Sequence, residues 1–115
     1  MNDLSNNEII DSITNELSKL NFNFSYYGTR YLVDSIYETY NLHKIYNVNL
    51  SKEIFPKLSQ KYNKSIDTIH SNIKKSVNIM YYDCDENVLM NYFYYDMIKK
   101  PSAKEIIIRI LENIS

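Results

Sequence analysis

Residues 50–80 read LSKEIFPKLSQKYNKSIDTIHSNIKKSVNIM, and this stretch decides the fold. Ile54, Phe55, Leu58 and Tyr62 recur at spacings of three and four, which lays an apolar stripe along one face of a helix. Ile66, Ile69, Ile73, Val77 and Met80 repeat the pattern after an interruption at Asn63, Lys64 and Ser65. Asn is the non-glycine residue that best tolerates a left-handed backbone, so Asn63 is expected to end the first helix and reverse the chain. Ser65 then caps the second helix by accepting from its free N–H groups. Two amphipathic helices joined in this way make a helix-turn-helix, expected over about residues 50–80.

Charge sets this pair apart from an ordinary amphipathic hairpin. Between Lys52 and Lys75 six lysines stand against Glu53 and Asp67, a net charge of +4. Residues 1–20 carry −3 and residues 83–96 carry −4, so the overall value of −1 conceals a basic segment between two acidic ones. Solvated lysines on an exposed face would produce the same count. A basic helix-turn-helix nevertheless points first to phosphate.

Working outward, 115 residues with 44% hydrophobic content suit one domain with one core. One Gly and two Pro, with apolar residues at helical spacing throughout, predict an all-α chain of about six helices. The first is expected over residues 4–20, with Ile9, Ile10, Ile13, Leu17 and Leu20 buried and Ser5 or Asn6 as cap. A loop holding Phe22 and Phe24 leads to a second helix over about residues 27–40. Tyr81 to Glu86 reads as a loop, residues 87–95 as a short helix, and Ser102 with Glu105 as the capping box of the last helix. A single cysteine, Cys84, excludes an internal disulfide, and its thiolate is disfavoured beside Asp83 and Asp85. There is no signal-peptide pattern and no apolar run of membrane-spanning length, so a cytoplasmic domain with no membrane contact is expected.

Catalytic chemistry finds little to stand on. His43, His70 and Cys84 do not have metal-ligand spacing, and one glycine cannot build a phosphate loop. No enzyme, metal, cofactor or small-molecule substrate is expected.

Several blocks, in one order, resemble the C-terminal effector domain family of the sporulation response regulator Spo0A. Gly28, Tyr31, Leu32 and Ile36 match its Gly-x-x-Tyr-Leu-x-x-x-Ile helix. Ile54, Phe55, Pro56, Leu58, Tyr62 and Asn63 match its scaffold helix. Ile69, Ile73 and Val77 fall where its recognition helix is apolar, and Lys100-Pro101-Ser102 is similar to its lead-in to the last helix. The likeness spans nearly the whole chain, as one effector domain over 1–115. The receiver domain that precedes such effectors has no counterpart in these residues, so a stand-alone effector or a fragment is expected.

The resemblance implies a DNA-binding transcriptional regulator whose second motif helix, about residues 65–80, enters the major groove. Counting from the Ser65 cap, Asp67, Thr68, Ser71 and Lys74 face outward, flanked by His70 and Lys75; Asp67, Thr68, His70, Ser71 and Lys74 are the candidate base readers. Arg30, Lys61, Lys64 and Lys75 are the candidate phosphate contacts, with Asp34 the alternative partner for Arg30. Where the family carries a Glu-Arg pair this chain has His70-Ser71. Ser cannot make the bidentate guanine contact of Arg, so either the target differs or specific binding is lost. The resemblance also implies self-pairing on tandem sites through the fifth helix, where Tyr94 and Tyr95 are the candidate protein contacts. A second reading keeps the fold as an interaction module that modulates a Spo0A-like regulator without specific DNA binding.

Overall fold

The computed structural model describes residues 5–114; Leu4, the expected start of the first helix, lies outside them. Six α-helices follow in order: α1 (Asn6–Lys19), α2 (Tyr27–Asn41), α3 (Phe55–Tyr62), α4 (Ile66–Asp83), α5 (Glu86–Phe93) and α6 (Ala103–Ile114), with a π-helical turn over Leu50–Ile54. Among the described residues there is no strand. A radius of gyration of 13.5 Å is close to the value of ~13 Å expected for a packed domain of this length.

Local signals place most of the ends. Ser5 and Glu8 form a capping box on α1, the Ser5 hydroxyl accepting from the Glu8 N–H at 3.2 Å. Ser102 and Glu105 do the same for α6. Asn63 adopts φ 53, ψ 48 and closes α3, while the Ser65 hydroxyl accepts the Thr68 N–H at 3.0 Å and opens α4. Asn21, His43 and Tyr94 also hold positive φ, at 65, 55 and 58, so four of the described residues turn the chain in the left-handed region without glycine.

Three boundaries differ from the sequence reading. The helix expected from Leu50 starts as a π turn, in which the Phe55 N–H donates to the Leu50 carbonyl. Pro56 is the reason: it has no N–H, and its ring crowds the carbonyl four residues back, so regular α geometry begins only at Phe55. At the other end α4 continues to Asp83, replacing the first half of the expected loop. The buried stripe of Ile69, Ile73, Val77 and Met80 extends by one more step of four to Cys84, whose N–H donates to the Met80 carbonyl at 2.8 Å. Finally, α5 spans Glu86–Phe93 rather than 87–95, because the Asp85 carboxylate caps it one residue early and Tyr94 turns the chain out of it.

The core is one cluster in which α2 and α4 form the most extensive pair. Their approach is set by Gly28: a Cβ there would lie 1.9 Å from the Asn72 carbonyl oxygen and 2.4 Å from Ser76 Oγ. One turn of α2 therefore rests directly on the backbone of α4. Thr29 and Ser76 bond across the contact at 3.3 Å, and the buried Ser35 and Thr39 hydroxyls donate to carbonyls four residues back. Away from α4, the buried Glu16 carboxylate joins three helices. It accepts from Lys19 in α1 at 2.5 Å, Tyr92 in α5 at 2.7 Å and Asn113 in α6 at 3.1 Å.

Candidate nucleic-acid interface

Helical geometry divides α4 into an inner and an outer face. Ile69, Ile73, Ser76, Val77 and Met80 are buried, which turns Asp67, Ser71, Lys74 and Asn78 outward. Asp67, His70, Ser71 and Lys74, with Lys75 and Asn78, line one shallow depression of about 450 Å³. Four of the five candidate base readers therefore come together. The fifth, Thr68, sits at the cap: its hydroxyl accepts from Ser65 Oγ at 2.9 Å and its carbonyl accepts from Asn72 Nδ2 at 2.8 Å. The Thr68 hydroxyl proton remains free to donate. His70 is exposed, and its ring lies 5.5 Å from that of Phe55, on the seam between α3 and α4.

The phosphate candidates divide by what holds them. Lys64 and Lys75 are exposed and, with Lys74, form no ion pair among the described residues. Lys61 donates to Asp34 at 3.1 Å, and that bond, working against burial, raises its pKa. Asp34 also accepts from the Tyr62 hydroxyl, so it is not the partner of Arg30. Arg30 instead donates from Nε to the Phe24 carbonyl at 3.2 Å and places its guanidinium 5.7 Å from the Tyr27 ring centre.

Pairing redistributes the charge of the basic segment. Lys44 meets Glu53 at 2.8 Å, Lys57 meets Glu38 at 3.7 Å and Lys61 meets Asp34. Acids from α2 and the π turn thus offset Lys44 and both lysines of α3, which leaves Lys52 and Lys64 outside α4, and Lys74 and Lys75 on it, without ion-pair partners among the described residues. In the sequence this pairing shows only as two matching spacings of four, Asp34 with Glu38 and Lys57 with Lys61. Asn78, absent from the expected site, lies seven residues after Ser71 and four after Lys74 on the same face.

The two candidate protein contacts behave differently. Tyr94 is 77% exposed, with the Arg109 guanidinium 4.7 Å from its ring centre. Tyr95 is half-buried: its ring stacks 5.4 Å from Phe93 and its hydroxyl donates to Glu105 at 2.5 Å. Met97 at 72% and Ile98 at 40% exposure continue the apolar surface beyond Tyr94.

Other chemistry is sparse. Among the described residues no group of His, Cys, Asp and Glu could hold a metal ion, and no helix is long and apolar enough to cross a membrane. Cys84 is buried, and burial together with the Asp85 charge pushes its thiol pKa up.

No curated protein is similar enough to this chain to count as a relative. The sequence profile of the family described as Sporulation initiation factor Spo0A C terminal, a helical DNA-binding domain family of sporulation regulators, matches residues 13–114. That match covers every helix except the first turns of α1, so the chain belongs to the Spo0A C-terminal family.

Proposed function

We propose that the domain is a transcriptional regulator that lays the N-terminal half of α4 in the major groove of duplex DNA, with α3 crossing the backbone. The observation that carries this reading is the outer face of α4. Lys74 and Lys75 stand there without ion-pair partners beside Asp67, His70 and Ser71, while the lysines of α3 are matched by acids from α2. Lys74, which lines the edge of this face, suits the phosphate beside it and can also reach a guanine O6 or N7; Asp67 suits a cytosine amino group, and His70 and Ser71 single donors or acceptors on either base edge. Arg30, Lys64 and Lys75 take phosphates, and Lys61 does so less strongly because Asp34 already holds it.

Selection from a random duplex library, read together with the salt dependence of affinity, tests the proposal. A recovered consensus and a linear fall of log affinity with log salt are expected. Failure to bind any duplex at low salt would remove it.

The exposed surface of Tyr94, Met97 and Ile98 supports a second contact, with another copy of the domain on an adjacent site. DNA would hold the two copies at high effective concentration, which offsets the entropy cost that a small patch cannot overcome in free solution. If no duplex is bound, the same surface favours the alternative, a module that binds a Spo0A-like regulator.

A further inference from the structure

The stretch between α5 and α6 returns to α4 at Lys100. Its Nζ donates to Asn78 Oδ1 at 2.7 Å, and Pro101 beside it is buried, so the exposed Lys100 side chain is tethered to α4 from an anchored backbone. Asn78 is neutral, and Lys100 forms no ion pair among the described residues, so its charge stays uncompensated. Between the two elements runs a groove of about 310 Å³, walled by His70, Lys74 and Asn78 on one side and by Lys100, Ser102 and Glu105 on the other. The one carboxylate in the wall already has partners. Glu105 accepts from Tyr95 at 2.5 Å and from the Ser102 N–H at 3.2 Å, with Lys99 at 3.7 Å.

We infer that this groove seats a backbone phosphate of the duplex, with Lys100 and Lys74 as its cations and Asn78 as the residue that positions Lys100. The inference rests on the DNA reading proposed above. A helix in a major groove about 12 Å wide meets a phosphate backbone along each side. On one side Lys75 lines a niche against the start of α2, where Arg30 stands close by in sequence. On the other side the helix-turn-helix itself offers only Lys74 and His70, and Lys100 adds the second ammonium group. Two ammonium groups and the Ser102 hydroxyl match the two charged oxygens of a phosphodiester. A free phosphate has the same oxygens, but His70, Lys74 and Asn78 line both this groove and the depression over the outer face of α4. The seat is therefore continuous with the face turned to the bases.

The test compares wild-type protein with Lys100→Gln, Lys74→Ala and Lys99→Gln on duplexes carrying one uncharged methylphosphonate linkage at successive positions. Lys100→Gln is expected to lower the log–log salt slope by about 1 and to abolish sensitivity to one particular linkage, leaving the others unchanged. Lys99→Gln, which removes a neighbouring charge held by Glu105, is expected to keep both. Asn78→Ala should weaken binding less than Lys100→Gln and keep the linkage sensitivity. If Lys100→Gln retains the wild-type slope and linkage pattern while Lys74→Ala loses them, the seat is overturned and the DNA reading stands. If wild-type protein binds no duplex, the DNA reading itself fails. Inorganic phosphate, followed by NMR at the Lys100 side chain, is expected to compete with duplex; occupancy without competition would assign the groove to a free anion and overturn the seat.

Discussion

Gly28 and Asn72 are packed so closely that one methyl group on Gly28 would overlap the Asn72 carbonyl, at 1.9 Å. The obstacle is backbone in mid-helix and cannot rotate away, so α2 and α4 would have to separate. Gly28→Ala is expected to destabilise the fold by about 1–3 kcal/mol, within the range for overpacked cores. Adding Ser76→Ala should not rescue it, because the nearer clash is with the carbonyl. Urea unfolding of the single and double variants checks this; a rescued double variant would mean that the Ser76 hydroxyl is what sets the spacing.

Lys74 and Lys61 differ in how much of their charge is available. Lys74→Ala should weaken binding to all duplexes and reduce the salt slope by about 1, whereas Lys61→Ala should change it by less, since Asp34 already meets that ammonium. Fluorescence anisotropy over a salt series measures both, and equal slope losses would mean that the Asp34 pair opens on binding.

Ser71 offers one hydroxyl where an Arg would offer a fork. Ser71→Arg is expected to create a preference for guanine at one facing position, worth about 1–3 kcal/mol of discrimination. Parallel library selections with the two proteins test it; identical consensus sequences would place Ser71 away from the base edges.

Acid and alkali should both attack the joint at Glu16. Burial raises the Glu16 pKa, but hydrogen bonds from Lys19, Tyr92 and Asn113 outweigh it and hold the carboxyl below its usual range. A depressed folded-state pKa contributes stability that is present above the ordinary carboxylate value and is lost as pH falls through the folded one. Tyr92 behaves in the opposite sense, since burial and the bond to Glu16 push its phenol well above the ordinary value of 10.0. Its contribution is present below that ordinary value and is lost as pH rises through the raised one. Glu16→Gln should flatten the acid limb of a thermal-stability profile, and Tyr92→Phe the alkaline limb. Unchanged limbs would show that the cluster titrates alike in both states.

Tyr94 can be tested apart from its neighbour. Tyr95 is tied to Phe93 and Glu105, so changing it would disturb the α5–α6 connection. Tyr94→Ser with Met97→Ser is therefore expected to leave binding to a single site intact and to abolish cooperativity on two adjacent sites. Retained cooperativity, with unchanged circular dichroism, would exclude this surface.

Features that depend on a few neighbouring residues were legible in the sequence. Asn63, Ser65 and the Ser102–Glu105 box act through hydrogen bonds within one turn, and the chain forms them where the pattern predicts. The π turn was hidden because an apolar stripe looks the same through Ile54 whether or not Pro56 interrupts the ladder behind it. The end of α4 was hidden because Tyr81, Tyr82 and Asp83 look like a polar loop, although Cys84 keeps the buried register. The seat at Lys100 needed the third dimension, since Asn78 and Lys100 are 22 positions apart and meet only once α6 is docked.

The four left-handed turns at Asn21, His43, Asn63 and Tyr94 bear on the unfolded chain as much as on the folded one. A side chain in that region costs roughly 1–2 kcal/mol, and a glycine would remove the cost. Glycine would also widen the range of conformations open to the denatured chain, at a cost of roughly 0.5–1 kcal/mol on folding. The second effect recovers about half of the first, so at each turn part of the strain is returned as a stiffer denatured ensemble. Its one glycine stands instead where even a Cβ would overlap the backbone of α4.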